Sequence, residues 1–353
     1  GRDITNESLK TIDILIVRSI TRVDENLLKS TPVKFVGTTT IGSDHIDTEY
    51  LQRNNIGFAN APGCNADSVA EYIFTALLHV ASNKNIRLSD KSIGIVGYGN
   101  IGSRIARIAE SFDMRTYIND PPLQRSTGQT FFVPYAKALQ GDIITYHVPL
   151  NMSGIDKTHH MLSGEHMQRF DTEKIILNSS RGSVVSNDDL KAILAGKQHT
   201  VVMDVWENEP RIDIDLLRLV KTGTAHIAGY SYEGKVNGTV IIFNSLCRFL
   251  DLKKRWTPIL PEIKNSIIDY PETGQPEKSL YLLLSRIYNI EQDDSAMREM
   301  IKLDQSGREK YFDILRKNYP VRREFSNYTI RINKSLSRDI KILKALRFNV
   351  LTY

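Results

Sequence analysis

Ser92-Ile93-Gly94-Ile95-Val96-Gly97-Tyr98-Gly99-Asn100-Ile101-Gly102 decides the fold. After Ser92 its first residues are apolar, with β-branched Ile93, Ile95 and Val96, as in a strand buried on both faces. They run into Gly97-x-Gly99-x-x-Gly102, and the following residues read as a helix to about Phe112. Strand, glycine loop and helix form the context in which G-x-G-x-x-G binds a dinucleotide. Gly97 permits the tight turn, Gly99 lets the backbone approach a pyrophosphate, and Gly102 lets the helix close on the strand. The N–H groups at the helix start meet the phosphate charge. Alone, the hexapeptide fits a structural turn equally well. The next strand discriminates, because it ends at Asp120, 18 positions after Gly102. An acid there accepts hydrogen bonds from the ribose hydroxyls of NAD and repels the 2′-phosphate of NADP. The competing reading is a turn aspartate before Pro121-Pro122.

Outward from this loop, the order of elements is α/β. Ile12 to Val17 and Lys34 to Thr38 read as buried parallel strands, and further strands are expected at Arg115–Asn119, Ile143–His147, Lys174–Asn178 and Thr200–Asp204. Their spacing fits a doubly wound parallel sheet. Ser8 to Thr11 looks like the end of a helix with no strand before it, so a leading strand of the first sheet is expected to be missing here. Asn65, Asp67 and Ser68 are helix-cap types ahead of Val69 to Ala81, which is apolar on most sides and predicts a helix buried between domains. Ser186 caps a helix to Leu194, and Gly196 lies just past its end.

From Ser231 the pattern is helical, with apolar positions at Val236, Val240, Phe243, Cys247 and Leu250. The last hundred or so residues have another composition. Helices are expected at Leu280–Ile290, Arg298–Arg316 and Ser335–Leu346 and a strand at Tyr328–Ile332, an α+β order. Leu280, Leu282, Leu283 and Leu284 suit a core or an interface equally.

The chain has 353 residues, 41% hydrophobic and 25% charged, enough for two or three globular domains. No apolar run reaches the roughly 18–20 residues of a membrane span, and no signal peptide is visible. Cys64 and Cys247 make neither a disulfide framework nor a metal cluster, so a reducing cytoplasmic setting is expected. The net charge of +5 is spread along the chain. Its densest basic stretch, Arg316 to Arg323, is short, which argues against nucleic acid and for a small anionic ligand or a solvated face.

Three residues later in the chain carry chemistry. Arg181 lies in Asn178-Ser179-Ser180-Arg181-Gly182, Glu209 in Asp204-Val205-Trp206-Glu207-Asn208-Glu209-Pro210, and His226 in His226-Ile227-Ala228-Gly229-Tyr230. An Arg holds an anion and polarises a carbonyl; a His moves a proton near neutral pH; a Glu orients and charges that His. All three follow predicted strands, so they can converge beyond the carboxyl ends of the sheet. Taken singly, Arg181 fits a surface turn, Glu209 a solvated loop acid, and His226 a satisfied core histidine. Together with the nucleotide fingerprint they point to oxidation of a hydroxy acid.

In order and spacing, the Gly97 fingerprint, Asn178–Gly182, Asp204–Pro210 and His226 resemble the D-isomer-specific 2-hydroxyacid dehydrogenases. The resemblance implies a Rossmann-type NAD domain, a flavodoxin-like substrate domain and, for this chain, a C-terminal α+β dimerisation domain. The corresponding boundaries are 1–66 for the substrate domain, 67–229 for the NAD domain, 230–252 for a helix returning to the substrate domain, and 253–353 for the tail. It implies catalysis by Arg181, Glu209 and His226 without a metal. Asn100 and Ile101 would offer N–H groups to the pyrophosphate, and Asp120, Ser179, Ser180, Asp204 and Gly229 would touch NAD. Val148 stands where relatives often have Thr after the His of His147-x-Pro149; a main-chain contact survives that change and a hydroxyl contact does not. Ser19, Thr40 and Tyr230 resemble substrate contacts.

The tail and the stretch Val17–Thr21 resemble one branch of that family, and this resemblance implies a phosphorylated four-carbon 2-hydroxy acid as substrate and a homodimer. Arg18 is the first candidate for its phosphate. Arg322 and Arg323 either reach the site from a partner subunit or form a solvated basic run. The competing functions are an enzyme for another acid such as 3-phosphoglycerate, and an NADH-sensing corepressor-like binding protein.

Overall fold

The computed structural model describes residues 3–18, 20–196 and 198–353. The chain forms two compact units. None of the helices among the described residues is long and apolar enough to cross a membrane.

The first unit comprises residues 1–66 and 231–262. Its sheet has strands β1 (Ile14–Val17), β2 (Phe35–Thr38) and β3 (Gly57–Ala59), all parallel and in that order. Asp47 starts the helix Thr48–Arg53 by accepting the Tyr50 N–H at 2.8 Å. That helix buries Tyr50 and Leu51 against Leu15, Val17 and Val36. The long helix Tyr232–Phe249 begins at Ser231, whose hydroxyl accepts the Gly234 N–H at 2.8 Å. It returns to the sheet, where Phe249 packs on Phe35 with ring centroids 5.2 Å apart.

The second unit comprises residues 67–230 and 263–353. Strands β4 (Ser92–Val96), β5 (Arg115–Asn119), β6 (Ile143–Tyr146), β7 (Ile175–Asn178), β8 (Thr200–Met203) and β9 (Thr222–Gly223) form one parallel sheet in the order β5-β4-β6-β7-β8-β9. The order reverses between β4 and β6, and such a reversal opens a crevice at the carboxyl ends of the strands. The expected strands are present. In these two sheets the shortest, β3 and β9, carry no periodicity for a sequence reading to detect.

The tail adds β10 (Ile267–Asp269), β11 (Thr329–Ile332) and β12 (Asn349–Thr352), a parallel sheet in that order. The flanking strands β10 and β12 were not foreseen. Two expected helices are divided. Asn289 accepts the Glu291 N–H at 3.1 Å and restarts the chain after Ile287, and Asp304 accepts the Gly307 N–H at 2.7 Å and separates Ile290–Arg298 from Gln305–Lys317. Both are cap residues, which close one helix and open another more favourably than they extend a single one.

One buried core joins the nucleotide fold to this tail. The helix Ala66–Lys84 is buried along most of its length, with Phe74 stacked on Phe112 at the end of the helix Asn100–Ser111 and Tyr72 beside Tyr288 of the tail. Leu280, Leu283 and Leu284 are fully buried there, whereas Leu282 is exposed. On the opposite face of the sheet, Phe312 from the tail sits in a core with Trp206 and Leu216. Both faces thus anchor residues 263–353 on the nucleotide-binding layer.

Candidate active site

The glycine loop is built as its sequence requires. Gly97 has φ +94°, a left-handed conformation, and a Cβ there would meet the His147 carbonyl oxygen at 2.6 Å. A Cβ at Gly102 would lie 1.9 Å from the Gly97 oxygen, so the helix Asn100–Ser111 could not close on the loop. Gly99 is different: its missing Cβ faces open space. It also stands at the N-cap with no side chain capping the helix, which leaves the N–H groups at Asn100 and Ile101 for a ligand. Asp120, at the end of β5, accepts the Tyr98 N–H at 2.8 Å with one oxygen and the Leu123 N–H at 2.9 Å with the other. It is therefore the turn aspartate before Pro121 and also holds the glycine loop; a carboxylate with two bonds retains lone pairs for ribose hydroxyls.

Val148 is half-buried beside the Gly97 turn, with its Cγ1 3.0 Å from where a Gly97 Cβ would stand. It forms an apolar wall and offers no hydroxyl. His147 next to it bonds Thr145 through Nε2 at 2.9 Å, while its Nδ1 is shut off without a partner. Burial pushes the His147 imidazole down to about 3, so it is neutral at neutral pH. At the end of β7, Ser179 and Ser180 are buried. Asn178, which sequence reasoning had passed over, shapes this turn. Its oxygen accepts the Ser180 N–H and hydroxyl at 3.1 and 2.9 Å, and its Nδ2 donates to the Arg181 carbonyl at 2.9 Å. The Ser179 hydroxyl is buried without a partner, as suits a group awaiting a ligand. An uncapped helix start, an open Gly99, a strand-end acid and an orphan hydroxyl together fit an NAD molecule.

The three chemical residues lie on adjoining loops. Arg181 precedes the short turn Gly182–Val184, and a Cβ at Gly182 would collide with the Trp206 backbone at 2.0 Å. The Arg181 turn is thereby pressed on the loop carrying Glu209. Glu209 accepts the Trp206 N–H at 2.8 Å with Oε1 and faces His226 Nδ1 at 2.7 Å with Oε2. Burial by itself would raise the Glu209 carboxyl. His226, as charge and as hydrogen-bond partner, outweighs burial together with the Trp206 N–H and the Arg316 guanidinium, and holds it below the usual glutamate range. The ring of His226 is one-third exposed.

His226 has φ +57°, strained for a non-glycine residue. Asp204, only 1% exposed, over-determines that turn. Its carbonyl accepts the His226 N–H at 2.7 Å, Oδ1 accepts Thr224 Oγ1 at 2.6 Å and the Ile227 N–H at 2.7 Å, and Oδ2 accepts the Ala228 N–H at 2.9 Å. Asp204, expected at the nucleotide, has both carboxylate oxygens engaged inside the His226 loop. A third support comes from the tail. Arg322 donates to the Ala228 carbonyl and, at 3.4 Å, to that of Ser68, with its guanidinium over the Tyr288 ring at 4.5 Å. Arg322 and Arg323 are 6% and 8% exposed, so the expectation of a solvated basic run is overturned. Gly229 and Tyr230 complete the loop, whose turn is closed by the Tyr230 N–H on the Ile227 carbonyl at 2.8 Å. Tyr230 packs edge-on against Tyr319 at 5.7 Å.

The first unit carries the other predicted contacts. Arg18 is exposed after β1, and Ser19 lies outside the described residues. Thr40 is half-buried and bonds Thr38 Oγ1 at 2.8 Å and the Gly42 carbonyl at 2.9 Å; Thr38 also meets His45 Nε2 at 3.0 Å.

Comparison with known proteins agrees with this geometry. The family model for the D-isomer specific 2-hydroxyacid dehydrogenase NAD binding domain matches residues 78–228, and a model for a domain of unknown function matches residues 259–346. The erythronate-4-phosphate dehydrogenase of Marinobacter nauticus is 41% identical over 99% of this chain and 93% of its own length. That of Photorhabdus laumondii is 40% identical over 99% and 92%. The crystal structure of D-lactate dehydrogenase from Aquifex aeolicus, complexed with NAD and lactic acid, is similar with a TM-score of 0.60 at 23% identity, covering 70% of this chain and 86% of that one; it bears on the fold alone. The chain belongs to the erythronate-4-phosphate dehydrogenase family, among the D-isomer specific 2-hydroxyacid dehydrogenases, and is an NAD-dependent oxidoreductase.

Proposed function

We propose that this chain oxidises 4-phospho-D-erythronate to 2-oxo-3-hydroxy-4-phosphobutanoate, a step in pyridoxal 5′-phosphate (vitamin B6) biosynthesis. The observation that carries the reading is the 2.7 Å contact of Glu209 with His226, on a loop pressed against the Arg181 turn. When bound, NAD would supply the hydride acceptor for C2 of the substrate. Nδ1–H of His226 donates to Glu209, which leaves Nε2 with the lone pair that takes the 2-hydroxyl proton. Glu209 then faces the imidazolium and offsets its charge. Arg181 holds the C1 carboxylate and the oxygen that becomes the carbonyl. Arg18, Ser19, Thr40 and Tyr230 contact the substrate, with Arg18 at its phosphate. Asn100 and Ile101 offer N–H groups to the pyrophosphate of NAD. Asp120 takes the ribose hydroxyls, and Val148, Ser179, Ser180, Asp204 and Gly229 contact NAD. Asp204 also positions His226.

The division into substrate domain (1–66), NAD domain (67–229), returning helix (230–252) and dimerisation tail (253–353) is part of this reading. Exposed Ile267, Leu351 and Tyr353 on the tail support a homodimer formed through it. The two free cysteines, Cys64 and Cys247, are both buried, which supports work in the cytoplasm.

The test is turnover of 4-phospho-D-erythronate against 3-phosphoglycerate, followed by NADH absorbance, with His226→Ala as control. Preference for the first acid and loss of turnover in the variant are expected. Equal turnover of both acids, or a variant that keeps its rate, overturns the reading. Light scattering should give the mass of a dimer, and a monomer at micromolar concentration contradicts that part.

A further inference from the structure

Of the basic residues between Arg316 and Arg323, Arg322 is only 6% exposed, with Nη2 on the Ala228 and Ser68 carbonyls and with Nε and Nη1 enclosed without partners, so its burial leaves a ligand no approach. Arg316 stands differently. It is in the last turn of the helix Gln305–Lys317, with its guanidinium carbon 5.8 Å from the Tyr230 ring centroid and 5.9 Å from that of Phe312. Its Nε is shut off from solvent and has no hydrogen-bond partner. Glu209, whose carboxyl the Arg316 charge helps to hold down, is engaged with His226 and the Trp206 N–H. A guanidinium with a sealed, unpaired N–H is costly unless something anionic arrives, and an aromatic face below it fixes the direction of its fork.

We propose that Arg316, held over Tyr230, binds the phosphate of the substrate. This rests on the proposed function, which makes the substrate an acid with two anionic ends. Arg181 serves the carboxylate, and the phosphate, at the opposite end of a four-carbon chain, requires cations of its own. The helix Gln305–Lys317 is part of the tail, so the tail contributes directly to substrate choice. Dehydrogenation is unaltered in its balance by this assignment: Arg316 moves no proton or electron and only holds the phosphate oxygens.

The experiment uses the full chain with Arg316→Gln and Arg316→Lys. It measures KM and kcat for 4-phospho-D-erythronate and for D-erythronate, and binding of inorganic phosphate by calorimetry. Arg316→Gln should reduce the preference for the phosphorylated acid roughly 10- to 100-fold, mainly through KM, as expected for loss of a charge-assisted hydrogen bond. It should also abolish inorganic phosphate binding, with Arg316→Lys intermediate in both. An equal loss on both acids would mean that Arg316 serves the carboxylate or the Glu209–His226 pair, and overturns the proposal, as does an unchanged preference. If the wild type fails to oxidise 4-phospho-D-erythronate at all, the proposed function fails. The phosphate titration still reports on Arg316: equal binding to wild type and Arg316→Gln overturns the anion site independently.

Discussion

Oε2 of Glu209 stands 2.7 Å from Nδ1 of His226, while Oε1 of the same carboxylate is fixed by the Trp206 N–H at 2.8 Å. Glu209 is thus locked at one oxygen and presents the other, so the imidazole is oriented by a group that cannot swing away. Glu209→Gln keeps the shape and removes the charge. We expect kcat to fall roughly 10²- to 10³-fold with a smaller change in KM. The sign of the pH effect follows from the lowered Glu209 carboxyl. The pair's stabilisation is complete above the ordinary glutamate value of 4.5 and is lost as pH falls through the lower folded value. Thermal melts of wild type and Glu209→Gln across that acid range should converge at the low end; parallel curves would contradict the assignment.

His147 gives a second acid limb, at higher pH. Its imidazole is pushed down to about 3 in the folded protein from an ordinary 6.5. The unfolded chain therefore takes up this proton first, and stability that is full above 6.5 declines as pH falls from there toward 3. The slope contributed is at most about 1.4 kcal/mol per pH unit. His147→Leu should flatten the decline of Tm between pH 6.5 and 5, and an unchanged slope would show that the ring titrates normally.

Asp120 binds both the glycine loop and the first turn of the next helix. Asp120→Ala should raise KM for NAD by roughly 10- to 100-fold. It should also lower stability by about 1 kcal/mol through the lost cap. Steady-state kinetics with NAD and NADP separate the two effects: discrimination against NADP should weaken. A cofactor preference that stays at the wild-type value would leave Asp120 with the capping role alone.

Arg322 ties the tail to the turn after His226 through the Ala228 carbonyl. It is buried beside the Tyr288 ring, and burial, which disfavours its charge, is outweighed by Tyr319, Tyr288, Glu71 and Asp293, which keep it protonated. Arg322→Met should cost about 3–5 kcal/mol, because buried acids lose their counter-charge. At temperatures where the variant is folded, kcat should fall more than KM, since His226 is displaced while Arg181 is not. A variant altered only in Tm would make Arg322 structural and nothing more.

Local patterns decided a large part of this protein. A strand followed by G-x-G-x-x-G and an acid at the next strand's end are consequences of steric rules within thirty or so residues, and the structure builds Gly97, Gly99, Gly102 and Asp120 as those rules require. Arg181 and Glu209 were legible because each follows a predicted strand of one parallel sheet, whose topology brings strand ends together, and His226 was legible from its own motif, His226-Ile227-Ala228-Gly229-Tyr230. The strands β3, β9 and β10 were not, since two or three residues show no period, and neither was β12, where Asn349 and Thr352 flank only two apolar residues.

Tertiary packing decided the rest. Asp204 reads in sequence like another strand-end acid, yet only the fold turns both its oxygens onto the His226 loop. The run Arg316 to Arg323 reads in sequence as a small-anion site or a solvated face, and the fold divides it: Arg322 goes in among carbonyls and rings, and Arg316 goes over Tyr230. The reason is that a charged side chain's surroundings come from residues tens to hundreds of positions away. Sequence specifies that the charge exists, and packing alone specifies whether it meets water, a carbonyl or a ligand.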